Sequence, residues 1–584
     1  MSVDLISPIA QHLAVHLDLP FAQVAGLLGP PSRPAGDLAL PCFVLAKAKQ
    51  VAPPQLAQDL VAVVEELPGV SASAAGPFLN IDLAPEMVAE AVFTALLDDP
   101  VQALRSDQGA GKRVCIDYSS PNIAKHLAFH HIRSTMIGNA LARCYRAAGW
   151  DTVRINFLGD WGTAFGRLIA GWQREGLCVE DLQAADDAVT FLNTLYVRIS
   201  QAAKEDPSVA EEARAWSRRL EEGDARAREL WQLFKEASLK EFRKVYDLLG
   251  VEFDSWKGEA YYEDKMQPVV DELQDQGLLT EDQGALVVDL TAQGLKKPCL
   301  IRRADGGSLY ATRDLAACDD RFADYAFDRS LYVVDLGQAL HFKEWFAVAQ
   351  CLQRPYVDRL RHIGFGVVLM WNEEEKSWAK TATRNGVPML LVDVLEEAIR
   401  RARAIVDEKN PELDEDERQT VAQSVGIGAV VFNDLKSGRR GDVKFHFDDA
   451  LSMQGETGPY LQYAHARLCS IERRFAATYA DPPSADPQLL QRSDEKTVLL
   501  HLARLSGALL RVVQEDEPSA LAQALLAMAA AVSTWLSAGN QDHSARVVCD
   551  DPARAAARVA LVRMARVALG EGLYVLGLQA PQRM

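Results

Sequence analysis

Between Asp117 and Gly166 the chain reads DYSSPNIAKHLAFHHIRSTMIGNALARCYRAAGWDTVRINFLGDWGTAFG, a stretch crowded with hydroxyl, amide, amine and imidazole groups. Cations and imidazoles gathered beside a turn are what a protein needs to hold phosphate and to match the charge that grows on it during displacement at phosphorus. Lys125, His130 and His131 are of those types. Much farther along, the loop KTATRNG adds Lys380 and Arg384, with Gly386 to let it hinge over a bound nucleotide.

These groups need a rigid frame. The apolar run Val114 to Tyr118 predicts a strand, and Ser119-Ser120-Pro121-Asn122 cannot continue its ladder, because Pro lacks the N–H and Ser and Asn prefer turns. From His131 to Ala148 apolar residues recur at helical spacing, and Thr152 to Phe157 alternates like a second strand. A strand, a polar turn and a helix start make one half of a nucleotide-binding parallel sheet, where phosphate docks at the strands' C-terminal edge against helix N-termini.

The order Ser-Ser-Pro-Asn, Lys125, Ile-Arg-Ser-Thr at 132 to 135 and Gly159-Asp160-Trp161-Gly162-Thr163 resembles the arginyl-tRNA synthetases, class I enzymes on a dinucleotide-fold core. Tyr310-Ala311-Thr312-Arg313-Asp314, KTATRNG and GETGPYLQYAHAR from Gly455 to Arg467 agree in order and rough spacing. The resemblance implies ATP-dependent attachment of L-arginine to tRNA(Arg) through an arginyl-adenylate, with Mg²⁺ accompanying ATP. Lys125, His131, Lys380 and Arg384 fall on its catalytic positions, and His130, Gly159, Asp160 and Gly386 on or beside its ATP site. Recognising arginine calls for carboxylates, since a guanidinium is always charged and presents a planar fork of donors, with an aromatic ring to fix its plane. Asp117, Asp314 and Tyr310 fall on the guanidinium positions, and Ser120, Asn122 and Gln338 on those holding the α-amino and carboxylate end.

The match departs in one important place. Aligning Lys125 and Arg133 puts Ala128-Phe129-His130-His131 on the family's H-x-G-H signature, so the first histidine has become Ala128 and the glycine His130. His126 and His130 are the imidazoles near enough to compensate. In the loop, Thr383 replaces the class's second lysine, and Lys125 supplies the lysine that many arginyl enzymes carry instead. Phe157 and Ala164 stand where relatives commonly have His and Gln. His362-Ile363-Gly364 imitates part of the signature but lies in a later strand-like run. Loss of two signature positions favours the alternative reading, a catalytically silent paralogue binding tRNA or arginine; retention of the lysines, Arg384 and the arginine positions favours the enzyme.

The remaining residues set the organisation. At 584 residues the chain is too long for one core, and a multidomain α/β protein is expected. Residues 1 to 105 read as a small α+β domain, with a helix at the start, another near Pro53 to Leu67 and a strand at Pro77 to Leu83; the resemblance makes it a tRNA-contacting addition. Residues 106 to 395 read as the parallel-sheet catalytic domain, with a charged helical insertion at about 175 to 265, taken as a solvated scaffold. Ser330 to Leu336 and His362 to Leu369 supply the later strands, and 396 to 584 reads as an all-α anticodon-binding bundle. There, Arg546, Arg554, Arg558, Arg563 and Arg566 are spaced to line a phosphate-facing stripe, and Tyr460, Tyr463 and Tyr574 are available to stack on bases.

A formal charge of −19 argues against non-specific polyanion binding and makes any RNA surface local. Nine cysteines, scattered singly, suggest buried thiols and neither disulfides nor zinc. No Lys or Arg precedes Arg33, which speaks against a targeting peptide and for a cytoplasmic protein. The uncharged stretch Pro518 to Gln541 reads as a buried helix rather than a membrane span. A monomer is the family expectation.

Overall fold

The computed structural model describes residues 3–31, 35–303, 310–372, 376–380 and 389–584. Four parallel strands form the central sheet, in the order Leu360–His362, Arg329–Tyr332, Arg113–Asp117, Asp151–Ile155. From the central strand Arg113–Asp117 the chain runs first to one neighbour and later returns to the other, so the order reverses there and a crevice opens beyond Asp117. Both faces of that strand are covered, which suits its apolar middle, Val114 to Ile116.

The helix His131–Ala147 makes the first crossover, and it is buried on nearly every side, not on one face. It lies between the sheet and the C-terminal helices, so its polar residues Arg133, Ser134, Thr135 and Asn139 are interior. Gly138 is required there: a Cβ would stand 2.2 Å from the Tyr118 ring.

Near the N-terminus, the strands Leu38–Pro41, Phe78–Leu83 and Val70–Ala75 form an antiparallel sheet packed by the helix Pro53–Val64. Helices Ala188–Glu205, Pro207–Glu221 and Ala225–Leu249 fill the insertion. After it, Leu279–Asp282, Ala285–Val288 and Cys299–Arg302 form an antiparallel sheet that the sequence did not announce.

Two expectations are corrected. His362 to Leu369 is not one strand: the core strand ends at His362, the chain turns, and Val368–Asn372 opens a separate sheet with Ser377–Lys380 and Val443–Phe445. The turn is held by close approach, since a Cβ on Gly366 would lie 2.5 Å from the Gly441 carbonyl oxygen. The chain after 395 is therefore not helical throughout; Val443–Phe445 pairs in parallel with Val368–Met370 before the bundle resumes. Ser519–Gln541 is long and apolar enough to cross a membrane by length and composition. Its Leu521, Leu525, Met528, Val532 and Trp535, spaced by three and four, are buried, and it packs on Ser493–Glu515 as a bundle helix. Six cysteines are buried and all nine are free; Cys178 departs from the expectation by being exposed.

Candidate active site

The turn after Asp117 is strained. Ser119, Ser120 and Ala124 all have positive φ (68°, 46° and 58°), a region side chains other than glycine enter at a cost of about 1–3 kcal/mol each. Each is held by a side chain from a different element. The Ser119 amide donates to Ser134 Oγ of the crossover helix at 2.9 Å, Ser120 to Asn156 Oδ1 at 3.2 Å, and Ala124 to Ser238 Oγ of the insertion at 3.0 Å. Tyr246, also from the insertion, bonds Ser119 Oγ at 2.8 Å and Asn156 at 3.2 Å. The insertion is thus a brace for the turn, a correction to its reading as a solvated scaffold.

The loops after the two central strands are zipped together. Ile123 donates to the Gly159 carbonyl at 3.1 Å and Gly159 to that of Pro121 at 3.0 Å. Gly159 leaves room for the Asn122 side chain, whose Oδ1 would stand 2.1 Å from a Cβ there and would have to swing away. The Asp160 carboxylate is fully buried, against Lys235 Nζ at 2.6 Å and the Ala260 amide at 2.9 Å.

Beyond the turn lies a cavity of about 360 Å³ lined by Ser120, His130, His131, Asp335, Phe365 and Lys380 among others. The rings of His130 and His131 lie 4.2 Å apart. His131 Nδ1 donates to the Ala128 carbonyl at 3.0 Å. Burial, helped by His130 beside it, depresses His131 to about 4, so its ring is neutral at neutral pH with the lone pair on Nε2. Burial also lowers His130, against the pull of Asp335. One wall is fixed by Arg133, whose guanidinium is buried. It donates to Asp434 Oδ1 at 2.7 Å and to the carbonyls of Gly366 (2.7 Å), Gly441 (2.8 Å) and Arg439 (3.2 Å). That one side chain joins the signature helix to the Phe365 turn and to the helix Glu415–Leu435.

A cluster of acidic side chains adjoins this cavity through Ser120. Asp117 accepts from Ser120 Oγ at 2.8 Å on one oxygen and pairs with Arg321 at 2.8 Å on the other. Arg321 in turn lies over the rings of Phe157 and Tyr332. Asp314 holds His341 Nε2 at 2.6 Å. Glu259, which sequence reasoning missed, pairs with Arg313 at 3.1 Å. Burial pushes Glu259 up to about 7 despite Arg313, with Asp160 and Asp314 adding to the rise. Asp314 also contributes to raising Asp117, so it is coupled to both of the other carboxylates. Acidic groups that repel one another in a buried site create a place for a cation. No local pattern in GEAYYED distinguishes Glu259 from the charged residues around it.

The other expected residues are placed as follows. Lys125, Asn122 and Gln338 are exposed. Tyr310 begins the helix that carries Asp314, but its side chain, like Arg384 and Gly386, lies outside the described residues. Among the described residues no cluster of three His, Cys, Asp or Glu side chains suits a metal ion. The arginine stripe in the bundle is corrected: Arg558 is buried on Glu495 at 2.6 Å, Arg566 pairs with Glu472 at 2.8 Å, and Arg546 turns back to Gly539 and His543. Tyr574 lies under Arg143, whereas Tyr463 and Tyr460 line a cavity of about 510 Å³ with Arg467 and Met584.

Known proteins match along the whole chain. Residues 92–447 fit the model of the tRNA synthetases class I (R) catalytic domain, 461–584 the DALR anticodon binding domain and 4–83 the arginyl tRNA synthetase N terminal domain. The chain is 40% identical to an arginine–tRNA ligase of an Exiguobacterium species over 568 residues, 97% of each chain, and equally so to that of Latilactobacillus sakei. Among solved structures it is similar to the arginyl-tRNA synthetase of Thermus thermophilus, with a TM-score of 0.80, 24% identity and full coverage of both chains. That of Plasmodium falciparum gives 0.75 at 20% identity, over 99% of this chain and 98% of that one. The chain belongs to the arginyl-tRNA synthetases, class I enzymes that attach arginine to tRNA at the expense of ATP.

Proposed function

We propose that the cavity and the adjoining acidic cluster divide the reaction between them, the histidine-lined cavity holding ATP and the acidic cluster holding arginine. The observation that carries this reading is their common wall: Ser120 lines the first and hydrogen-bonds Asp117 of the second. An arginine carboxylate placed at that wall faces the α-phosphate, and positioning of this kind supplies most of the catalysis in such a displacement.

On this reading Asp314 and Glu259 take the guanidinium, with Tyr310 as its expected aromatic neighbour. Asp117 moves from the guanidinium role to a positioning one, because both of its oxygens are engaged by Ser120 and Arg321. Ser120, Asn122 and Gln338 are left for the α-amino and carboxylate end. His131 and Lys380 line the cavity where the phosphates would sit, and Lys125, Arg384 and Gly386 are assigned to the phosphates on the strength of the family resemblance. Gly159 serves by letting the two strand-end loops meet. Among the described residues the donor set does not form a metal cage, so Mg²⁺ is read as part of the nucleotide substrate, and no step is routed through it.

For tRNA(Arg), the cavity of Tyr460, Tyr463 and Arg467 offers rings for a splayed base and a cation for its phosphate. The enzyme is proposed to act as a monomer, which sedimentation would show directly. The comparisons give no support to a silent paralogue: the chain aligns with an arginine–tRNA ligase over 97% of its length. The test is aminoacylation with saturating tRNA. Asp314→Asn should raise KM for arginine far more than for ATP, and Lys380→Met should lower kcat with arginine KM held; the reverse pattern would dismantle the division.

A further inference from the structure

The signature residues pose a question that the family reading leaves open, namely what does the work of the imidazole missing at Ala128. The backbone of Ala128 keeps its role, since its carbonyl accepts both the His131 amide at 2.9 Å and His131 Nδ1 at 3.0 Å. Its side chain is buried beside the bridge to Leu390. The scaffold of the signature therefore survives and only the functional group is gone.

His126 does not replace it. Its Nε2 lies 2.8 Å from Thr190 Oγ1 and 3.1 Å from Asp187, at the start of the insertion helix Ala188–Glu205, away from the cavity. His130 is placed differently. It lines the ATP cavity, is solvent-exposed, and neither of its ring nitrogens has a hydrogen-bond partner among the described residues. Its ring lies beside that of His131, with Lys380 lining the same cavity.

The tautomer of His131 sharpens the point. A carbonyl oxygen only accepts, so Nδ1 of His131 carries the hydrogen and Nε2 of the neutral ring only accepts as well. A phosphate oxygen is also an acceptor, so neutral His131 has nothing to donate to it. His130, with both nitrogens unengaged, is free to present an N–H.

We infer that His130 is a catalytic residue which donates a hydrogen bond to a phosphate oxygen of ATP, so that the chain has moved an imidazole two places along the signature instead of losing it. The inference rests on the assignment of the cavity to ATP. It also explains why glycine is absent at 130: the side chain is the replacement donor, and the nucleotide meets a ring where relatives offer bare backbone.

The test is arginine- and tRNA-dependent ATP–pyrophosphate exchange on wild type, His130→Ala, His130→Asn, His130→Gly, Ala128→His/His130→Gly and His126→Ala, each checked for an unchanged melting profile. Loss of one preorganised donor predicts that His130→Ala lowers kcat about 10²-fold while KM for ATP moves less than about threefold. His130→Asn, which keeps an N–H donor of similar reach, should recover part of that loss. Restoring the family arrangement in Ala128→His/His130→Gly should exceed His130→Gly at least about tenfold, as expected if the two positions have exchanged one job. His126→Ala should remain near wild type. The inference is overturned if His130→Ala keeps wild-type kcat, or if its loss is not recovered by a histidine at 128. Absence of exchange in the wild type itself would instead refute the assignment of the cavity to ATP chemistry.

Discussion

Glu259 offers the sharpest quantitative test of the acidic cluster's proposed role. Burial and its acidic neighbours push its carboxyl up from 4.5 to about 7, so at neutral pH the group is near half protonation. A bound guanidinium favours the carboxylate, so arginine binding should expel a proton. With the free group at about 7, roughly a tenth is ionised at pH 6 and roughly nine tenths at pH 8, and arginine affinity should tighten about tenfold over that interval. His341, held above its ordinary value by Asp314 although burial opposes this, works in the same direction, because its protonated ring neutralises Asp314. In a His341→Gln background the remaining slope belongs to Glu259. Glu259→Gln should flatten it and weaken arginine at pH 8 by about 2–5 kcal/mol, the usual consequence of truncating one partner of a buried charge pair. Titration calorimetry in two buffers of different ionisation enthalpy reads both quantities. The sign for stability is opposite to that for binding. The folded carboxyl binds its proton more tightly than the unfolded one, so stability falls as pH rises from 4.5 to about 7, by up to about 3 kcal/mol. Glu259→Gln should therefore melt at a higher temperature than wild type at pH 8 and gain nothing at pH 5. Unchanged arginine affinity and an unchanged pH slope in Glu259→Gln would refute the reasoning.

Three further outcomes follow from the same contacts. Asp434→Ala leaves the Arg133 guanidinium buried without its carboxylate and should cost about 3–5 kcal/mol in a denaturant melt, whereas the paired change Arg133→Met/Asp434→Leu should recover much of it; additive single effects would mean that the two residues are not coupled. Ser238→Ala removes the partner of the strained Ala124 amide, and about 1–3 kcal/mol of destabilisation with a raised KM for both ATP and arginine is expected, measured by melting and by exchange kinetics. Tyr463→Ala should weaken tRNA binding in a filter assay by about 1–3 kcal/mol while leaving tRNA-independent melting unchanged, and equal affinity would move the base-binding site elsewhere.

The strand–turn–helix unit was legible in the sequence because its signals are local: an apolar run, a Ser/Pro/Asn turn and helical periodicity. The burial of the crossover helix on all sides was not, since its apolar spacing describes one face while Arg133 and Asn139 are covered by helices from far along the chain. The strand after His362 was misread because an apolar run carries no mark of where it changes sheets; the break at Gly364 and Gly366 depends on a backbone contact with Gly441. Asp117 and Asp314 stand out by type and position, yet the engagement of Asp117 by Arg321 and the nearness of Glu259 to Asp314 are products of tertiary packing. Similarly, the arginines near the C-terminus have helical spacing, and only the fold reveals that Arg558 and Arg566 are already matched by Glu495 and Glu472.

The central claim, that this altered signature still supports amino-acid activation, is tested most directly by ATP–pyrophosphate exchange with the wild-type chain, run with and without arginine and with and without tRNA(Arg). The account predicts exchange that requires arginine and is greatest with tRNA present. No exchange under any of these conditions, with tRNA still bound, would contradict it.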